Sequence, residues 1–157
     1  LEQCVGAGSG GNSQFTKNKY RILKSAVERY TGPINPLTVM TEFGGLELIM
    51  ATGAMLRAAE LKMTILVDGF LMSNSLLMAY KINPDVENYA IFSHKSDEQG
   101  HILLLEYLGV EPLLHLNFCL GEGTGAVCSY PLVESSIRMI NQMKSFNDSK
   151  ISPIPQC

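Results

Sequence analysis

Hydrophobic positions along this chain fall into helical stripes separated by short apolar runs. Tyr20, Leu23, Val27 and Tyr30 recur at helical spacing and predict a helix over about 14–30, with Asn12 or Ser13 as its cap. Thr31-Gly32-Pro33-Ile34-Asn35-Pro36 breaks the pattern. Pro36 can start a short helix to about residue 42, and Gly44-Gly45 opens a longer one over about 46–61. Ala51, Gly53, Ala54, Ala58 and Ala59 give that helix small residues for close packing, and Glu47 in its first turn suits the helix dipole. Residues 63–67 form a short apolar run with the look of a buried parallel strand, ending in Asp68-Gly69-Phe70. A helix over about 71–80 follows, then a turn at Pro84. A second strand, 89–92, ends in Ser93-His94-Lys95-Ser96.

Asp97 and Glu98 lead into a helix that runs to about Leu108 and is closed by Gly109. Leu113, Leu114, Leu116 and Phe118 admit an extended segment. Leu132, Ser136, Met139, Met143 and Phe146 mark a last helix, which Pro131 should kink or restart at its first turn. Met50, Met55, Met72 and Met78 read as core filler. Strand and helix alternate, with polar residues just past each strand. The fold class is therefore α/β, a Rossmann-like parallel sheet flanked by helices. Ligands in such sheets bind beyond the carboxyl ends of the strands, so Gly6 to Gly11, Asp68-Gly69 and Ser93 to Ser96 are expected on one rim. Gln3-Cys4-Val5 reads as the tail of a strand, which makes the chain incomplete at its N-terminus. Residues 1–148 form one domain and 149–157 a tail.

Composition narrows the function classes. The chain has 157 residues, enough for one domain, and 46% are apolar, enough for a real core. A net charge of −3 argues against a nucleic-acid or anionic-membrane surface. No apolar run reaches membrane-spanning length, and the polar, glycine-rich N-terminus does not read as a signal peptide. Cys4, Cys119, Cys128 and Cys157 show no metal spacing and read as free thiols of a reducing cytoplasm.

Two glycine-rich loops carry the candidate chemistry. In Leu120-Gly121-Glu122-Gly123-Thr124-Gly125-Ala126, glycines alternate with an acid and a hydroxyl, so the backbone can take positive φ and a ligand can approach it. An acid there is either a solvated surface residue or a working one. The other loop, Gly6-Ala7-Gly8-Ser9-Gly10-Gly11, feeds a helix N-terminus with Lys19 on its early turns, a plausible phosphate site. It lacks the Gly-Lys-Ser/Thr ending of a Walker loop. His94 and His101 are not an obvious metal pair; His101 reads as a satisfied structural histidine, and His115 has no chemical context.

Taken in order, these motifs resemble one family. Gly-x-Gly-Ser-Gly with Lys19, Gly44-Gly45-Leu46-Glu47, Val67-Asp68-Gly69-Phe70, the stretch from Ser93 to His101, Leu105-x-x-Leu108-Gly109-x-Glu111-Pro112-Leu113-Leu114 and the loop from Leu120 to Ala126 are similar to the C-terminal half of the nicotinate-nucleotide–dimethylbenzimidazole phosphoribosyltransferases. Ser145-Phe146 stands where the family usually has Thr-Phe, and Gly6-Ala7-Gly8-Ser9-Gly10 where it often has Gly-Arg-Gly-Thr-Gly. The family's Glu-Met-Gly-Ile-Gly-Asn-Thr-Thr motif, in its N-terminal half, is not in this chain.

The resemblance implies phosphoribosyl transfer from nicotinate mononucleotide to 5,6-dimethylbenzimidazole, giving α-ribazole 5′-phosphate and nicotinate in cobalamin lower-ligand assembly. It implies Glu122 as the base that takes the azole proton, with Gly121 and Gly123 giving the substrate room and leaving the acid partly desolvated. Gly6, Gly8, Ser9, Gly10, Lys19 and Ser96 would serve the phosphate. Ser93 lies on the same rim, and Asp68 either fixes ribose hydroxyls or orders the rim. The resemblance implies neither metal nor cofactor, and a homodimer in the cytoplasm. A non-catalytic phosphate-binding domain, and an inactive fragment that pairs with a missing half, are the alternative readings.

Overall fold

A computed structural model of the chain describes residues 1–6, 13–118, 121–145 and 148. Its elements are helices α1 (Ser13–Arg29), α2 (Pro36–Phe43), α3 (Leu46–Glu60), α4 (Phe70–Ile82), α5 (Gln99–Leu108) and α6 (Thr124–Gln142), with strands β1 (Ile65–Val67), β2 (Ala90–Phe92), β3 (His94–Ser96) and β4 (Leu114–Phe118). Local chemistry sets several boundaries. Asn35 Oδ1 accepts the Thr38 amide at 3.1 Å, the Asn35 amide donates back to Thr38 Oγ1 at 3.3 Å, and Pro36 fills the first helical position of α2. Gly109 closes α5 with a φ of 67°, a left-handed conformation that glycine takes without a Cβ penalty.

All strand pairing is parallel. Ile65, Leu66 and Val67 stand opposite Ala90, Ile91 and Phe92, and β3 pairs with β4 from His94↔Leu114 to Ser96↔Phe118 across an irregularity. Ser93 joins the two pairs: its amide donates to Val67 O at 2.9 Å, and its carbonyl accepts the Leu114 amide at 3.0 Å. The stretch through β2, Ser93 and β3 thus runs between β1 and β4. The polar residues expected as a loop past the second strand instead continue it as β3. The parallel pairing and flanking helices bear out the α/β class.

The core gathers Met55 and Ala59 of α3, Val67 of β1, Leu76 and Ala79 of α4, Val86, Phe92 of β2 and Leu105 of α5. Helix α4 lies centrally and buries Ser73 and Ser75 beside Leu76 and Ala79. Thr52 Oγ1 donates to Leu48 O at 2.8 Å within α3 and also lies 3.2 Å from Ser75 O, which stitches α3 to α4. The small residues of α3 serve this contact only in part, since Ala59 is buried while Gly53 and Ala54 are exposed.

Four expectations are corrected. Glu2–Cys4 is a 3-10 turn rather than a strand tail, and the Cys4 carbonyl lies where a Cβ on Gly100 would come within 3.0 Å, so this segment lies against the start of α5. Pro131 does not restart α6 at its first turn, since the helix runs from Thr124 through it. The amide that proline lacks would have bonded Val127 O, and Val127 is itself exposed. Met50 is exposed, unlike Met55. The α1 stripe is only part covered, with Tyr20 and Tyr30 half-buried but Leu23 and Val27 exposed. Phe146 and the tail lie outside the described residues.

Apolar side chains stand exposed on α1 (Phe15, Ile22), α3 (Leu46, Met50) and α6 (Val127, Ile140). Such a surface exceeds what isolated exposed residues explain. The chain on its own should therefore bind a hydrophobic dye such as ANS and unfold over a broad thermal range. A sharp, monomeric, high-temperature transition without dye binding is the contrary result.

Candidate active site

The glycine-acid loop and the end of β1 meet through Asp68. Its carboxylate accepts the Gly123 amide on Oδ2 at 3.0 Å and the Ala126 amide on Oδ1 at 3.1 Å. Both amides belong to the N-terminal turn of α6, where helix amides have no intrahelical acceptor and the helix dipole favours negative charge. Asp68 does the work of a cap from a distant part of the chain, since Gly123 at the cap position has no side chain. These two bonds tie the end of β1 to the start of α6.

Glu122 sits at the head of this turn. The Thr124 amide donates to Gly121 O at 3.1 Å, and the two residues between have positive φ, 59° at Glu122 and 84° at Gly123. Positive φ at both central positions is the pattern of a type I′ turn. Glycine suits Gly123, whereas an L side chain in this region costs on the order of 1–2 kcal/mol. Lys62 and Asn117 also have positive φ, 58° and 51°, so Glu122 is one of three such non-glycine residues among the described residues. Its side chain is exposed, which corrects the expected partial desolvation: glycine neighbours have no side chains with which to cover it. A Cβ on Gly121 or Gly123 would meet open space among the described residues, so their value is conformational freedom and access.

Beneath the loop lies a buried polar layer. His94 is fully buried, with its Nδ1 3.9 Å from Asp68 Oδ1, too far for a hydrogen bond. Its ring lies 5.4 Å from that of Phe118, centroid to centroid. A Cβ on Gly125 would fall 1.8 Å from His94 Nδ1, so only glycine lets α6 seat on the imidazole. Neither ring nitrogen of His94, nor the hydroxyl of buried Ser93, has a hydrogen-bond partner among the described residues. Sequence reasoning missed the Gly125–His94 fit, because nothing in the one-dimensional pattern pairs them.

His101 is the satisfied structural histidine it was expected to be. The Ser96 amide donates to Nδ1 at 3.1 Å, and a backbone N–H can only donate, so Nδ1 carries no proton. The Ser96 hydroxyl, 2.8 Å from the same atom, therefore donates too, and Nε2–H points to Ser73 Oγ at 3.1 Å. Ser96 thus meets His101 Nδ1 through both its amide and its hydroxyl. Burial, then the neighbouring His94, pushes His101 down from 6.5 to about 4, with Asp68 partly opposing.

Lys19, half-buried on α1, donates from Nζ to Gly6 O at 3.1 Å. A Cβ on Gly6 would lie 3.1 Å from Glu98 Oε2, which places the start of the first glycine loop beside the entrance to α5. Gly8, Ser9 and Gly10 lie outside the described residues. The structure thus joins Asp68 to Gly123, Ser96 to His101 and Lys19 to Gly6, with Ser93 between the strand pairs. His115 lines a separate groove of about 280 Å³ with Lys95, Glu106 and Glu111. Cys4 and Cys128 are free thiols, and no cluster suited to a metal ion occurs among the described residues.

A family model described as Phosphoribosyltransferase matches residues 1–151. A relative from Phocaeicola vulgatus, named nicotinate-nucleotide–dimethylbenzimidazole phosphoribosyltransferase, is 53% identical over 97% of this chain. The chain belongs to the nicotinate-nucleotide–dimethylbenzimidazole phosphoribosyltransferase family. A phosphoribosyltransferase of the same name from Shewanella baltica is 44% identical over 96% of the chain. The crystal structure of CobT from Thermus thermophilus superposes with a TM-score of 0.90 at 34% identity, covering 98% of this chain and 46% of that one. The chain spans 44% of the length of the Phocaeicola vulgatus phosphoribosyltransferase.

The neutral state of His101 has a consequence for stability. A histidine depressed in the fold stabilises fully above its unfolded value of 6.5, and that contribution is lost as pH falls toward about 4. The loss is on the order of 3 kcal/mol. Urea unfolding at pH 7 and pH 4.5 should show it, and His101→Asn should flatten the acid limb. An equal acid slope in the variant contradicts the assignment.

Proposed function

We propose that this chain carries the acid, rim and anion loop for transfer of the phosphoribosyl group of nicotinate mononucleotide to 5,6-dimethylbenzimidazole, yielding α-ribazole 5′-phosphate and nicotinate. The observation that carries the reading is Glu122: an exposed carboxylate in a strained turn, on a loop that Asp68 holds to the sheet rim. A benzimidazole ring nitrogen attacks the ribose anomeric carbon, the bond to nicotinate breaks toward its pyridinium nitrogen, and positive charge builds on the sugar between them. The azole then sheds its N–H proton to Glu122, and a carboxylate at hydrogen-bond reach suits that task. Glycines 121 and 123 leave the base room to approach.

Phosphate recognition falls to the first glycine loop, with its donors at the N-terminus of α1, and to Lys19. The ammonium has three donors, of which one holds Gly6 O. Ser96, on β3 beside His101, is a further candidate donor to the phosphate. The reading includes homodimeric assembly in the cytoplasm and small-molecule substrates, with neither nucleic acid nor membrane as partner. No helix among the described residues is long and apolar enough to cross a membrane.

In the active enzyme, Glu122→Gln should lower kcat by about 10²–10⁴-fold while changing nucleotide affinity little, since the amide keeps the shape and loses the basicity. Near-normal kcat across pH would remove Glu122 from the chemistry. Lys19→Ala should raise the KM for nicotinate mononucleotide much more than that for the base. Equal effects on both substrates would count against the phosphate assignment.

A further inference from the structure

The geometry points to Asp68 as a positioning residue that sets the Glu122 carboxylate through the backbone, without touching substrate; this rests on the reading of Glu122 as the base. The Gly123 amide that Asp68 Oδ2 grips at 3.0 Å belongs to the same peptide plane as the Glu122 carbonyl. Holding that plane fixes ψ of Glu122 and φ of Gly123, the two torsions on either side of it. The second bond, from the Ala126 amide to Oδ1 at 3.1 Å, ties the same carboxylate one turn further into α6. The pair forms a bidentate clasp with both acceptors charged, stronger than a neutral cap.

The clasp matters because Glu122 is held at a φ of 59°, a conformation an L residue leaves when it is free to do so. A return to negative φ would swing its Cβ away from where the turn now aims it. Asp68 is itself placed rigidly. It follows Val67, which is fully buried in β1, and its own exposure is 8%. On its other side stands the imidazole of His94, which fills the space that Gly125 leaves. Each Asp68 oxygen accepts one amide of the turn, so the carboxylate engages the loop backbone through both of its oxygens.

A double-mutant cycle in the active enzyme tests this. Asp68→Asn puts an amide N–H₂ against a backbone N–H or leaves one acceptor where two are needed. It should lower kcat by about 10²-fold, as expected when a reacting group is misplaced, with little change in the KM for nicotinate mononucleotide. Combined with Glu122→Gln, it should add little, because both substitutions remove the same aimed carboxylate. Hydrogen exchange should show the Gly123 and Ala126 amides losing protection in Asp68→Asn while core amides keep theirs.

If Glu122→Gln is slow and Asp68→Asn multiplies its effect, the base reading stands and the positioning role fails. A raised KM for the nucleotide at unchanged kcat also overturns it, and makes Asp68 a substrate ligand. If Glu122→Gln turns over normally, the base reading falls and this proposal with it. Should Asp68→Asn fail to fold, Asp68→Ser takes its place in the same cycle, since it keeps one cap acceptor.

Discussion

One carboxylate holds the last helix to the sheet. Asp68 ends β1, and its bonds to the Gly123 and Ala126 amides bridge most of the length between the strand and α6. An α-helix presents unpaired amides at its start, and in α6 glycine occupies the position where a serine or aspartate would cap them. Supplying the acceptor from another element turns a local deficiency into a tertiary tie. The same tie fixes a turn whose first central residue is an acid in a conformation it would not choose. The geometry of the turn and the docking of the helix thereby share the same two hydrogen bonds.

The layer under this tie is polar but largely arranged by donors and acceptors of fixed sense. Backbone N–H of Ser96 decides the tautomer of His101, the tautomer directs Nε2–H to Ser73, and burial keeps the ring neutral. A neutral ring in this place avoids a buried cation beside His94. The centre of the molecule thus combines an apolar cluster around Leu76 and Phe92 with a polar seam that passes from α4 through α5 to β3. Partners in such a seam are specific in a way that apolar contacts are not, because an unmet buried donor or acceptor is costly.

The parallel strands explain why the candidate residues meet. Each strand runs the same way, so Asp68 after β1 and Ser93 after β2 emerge on the same side, and β4 brings the following glycine-acid loop back beside them. This is the general behaviour of ligand sites at the carboxyl ends of parallel strands. The superposition on CobT at a TM-score of 0.90 and 34% identity shows that this backbone arrangement is shared with a relative of quite different sequence.

Sequence by itself determined what depends on local physics. Helical periodicity, Asn35-Pro36 at the start of α2 and Gly109 at the end of α5 placed the helices within a few residues, because caps and φ preferences act over one turn. It also marked the two glycine loops and, through the order of motifs, the family. Tertiary structure decided everything that depends on which distant groups meet. It made β3 a strand through β4, turned the N-terminal strand tail into a 3-10 turn against α5, and let α6 continue through Pro131. It set Ser96 against His101, left Glu122 uncovered, required glycine at 125 for the His94 ring, and gave Asp68 its two amides. None of these follows from spacing, because a hydrogen bond between Asp68 and Ala126 is fixed by the fold that brings them together and by nothing in the residues between.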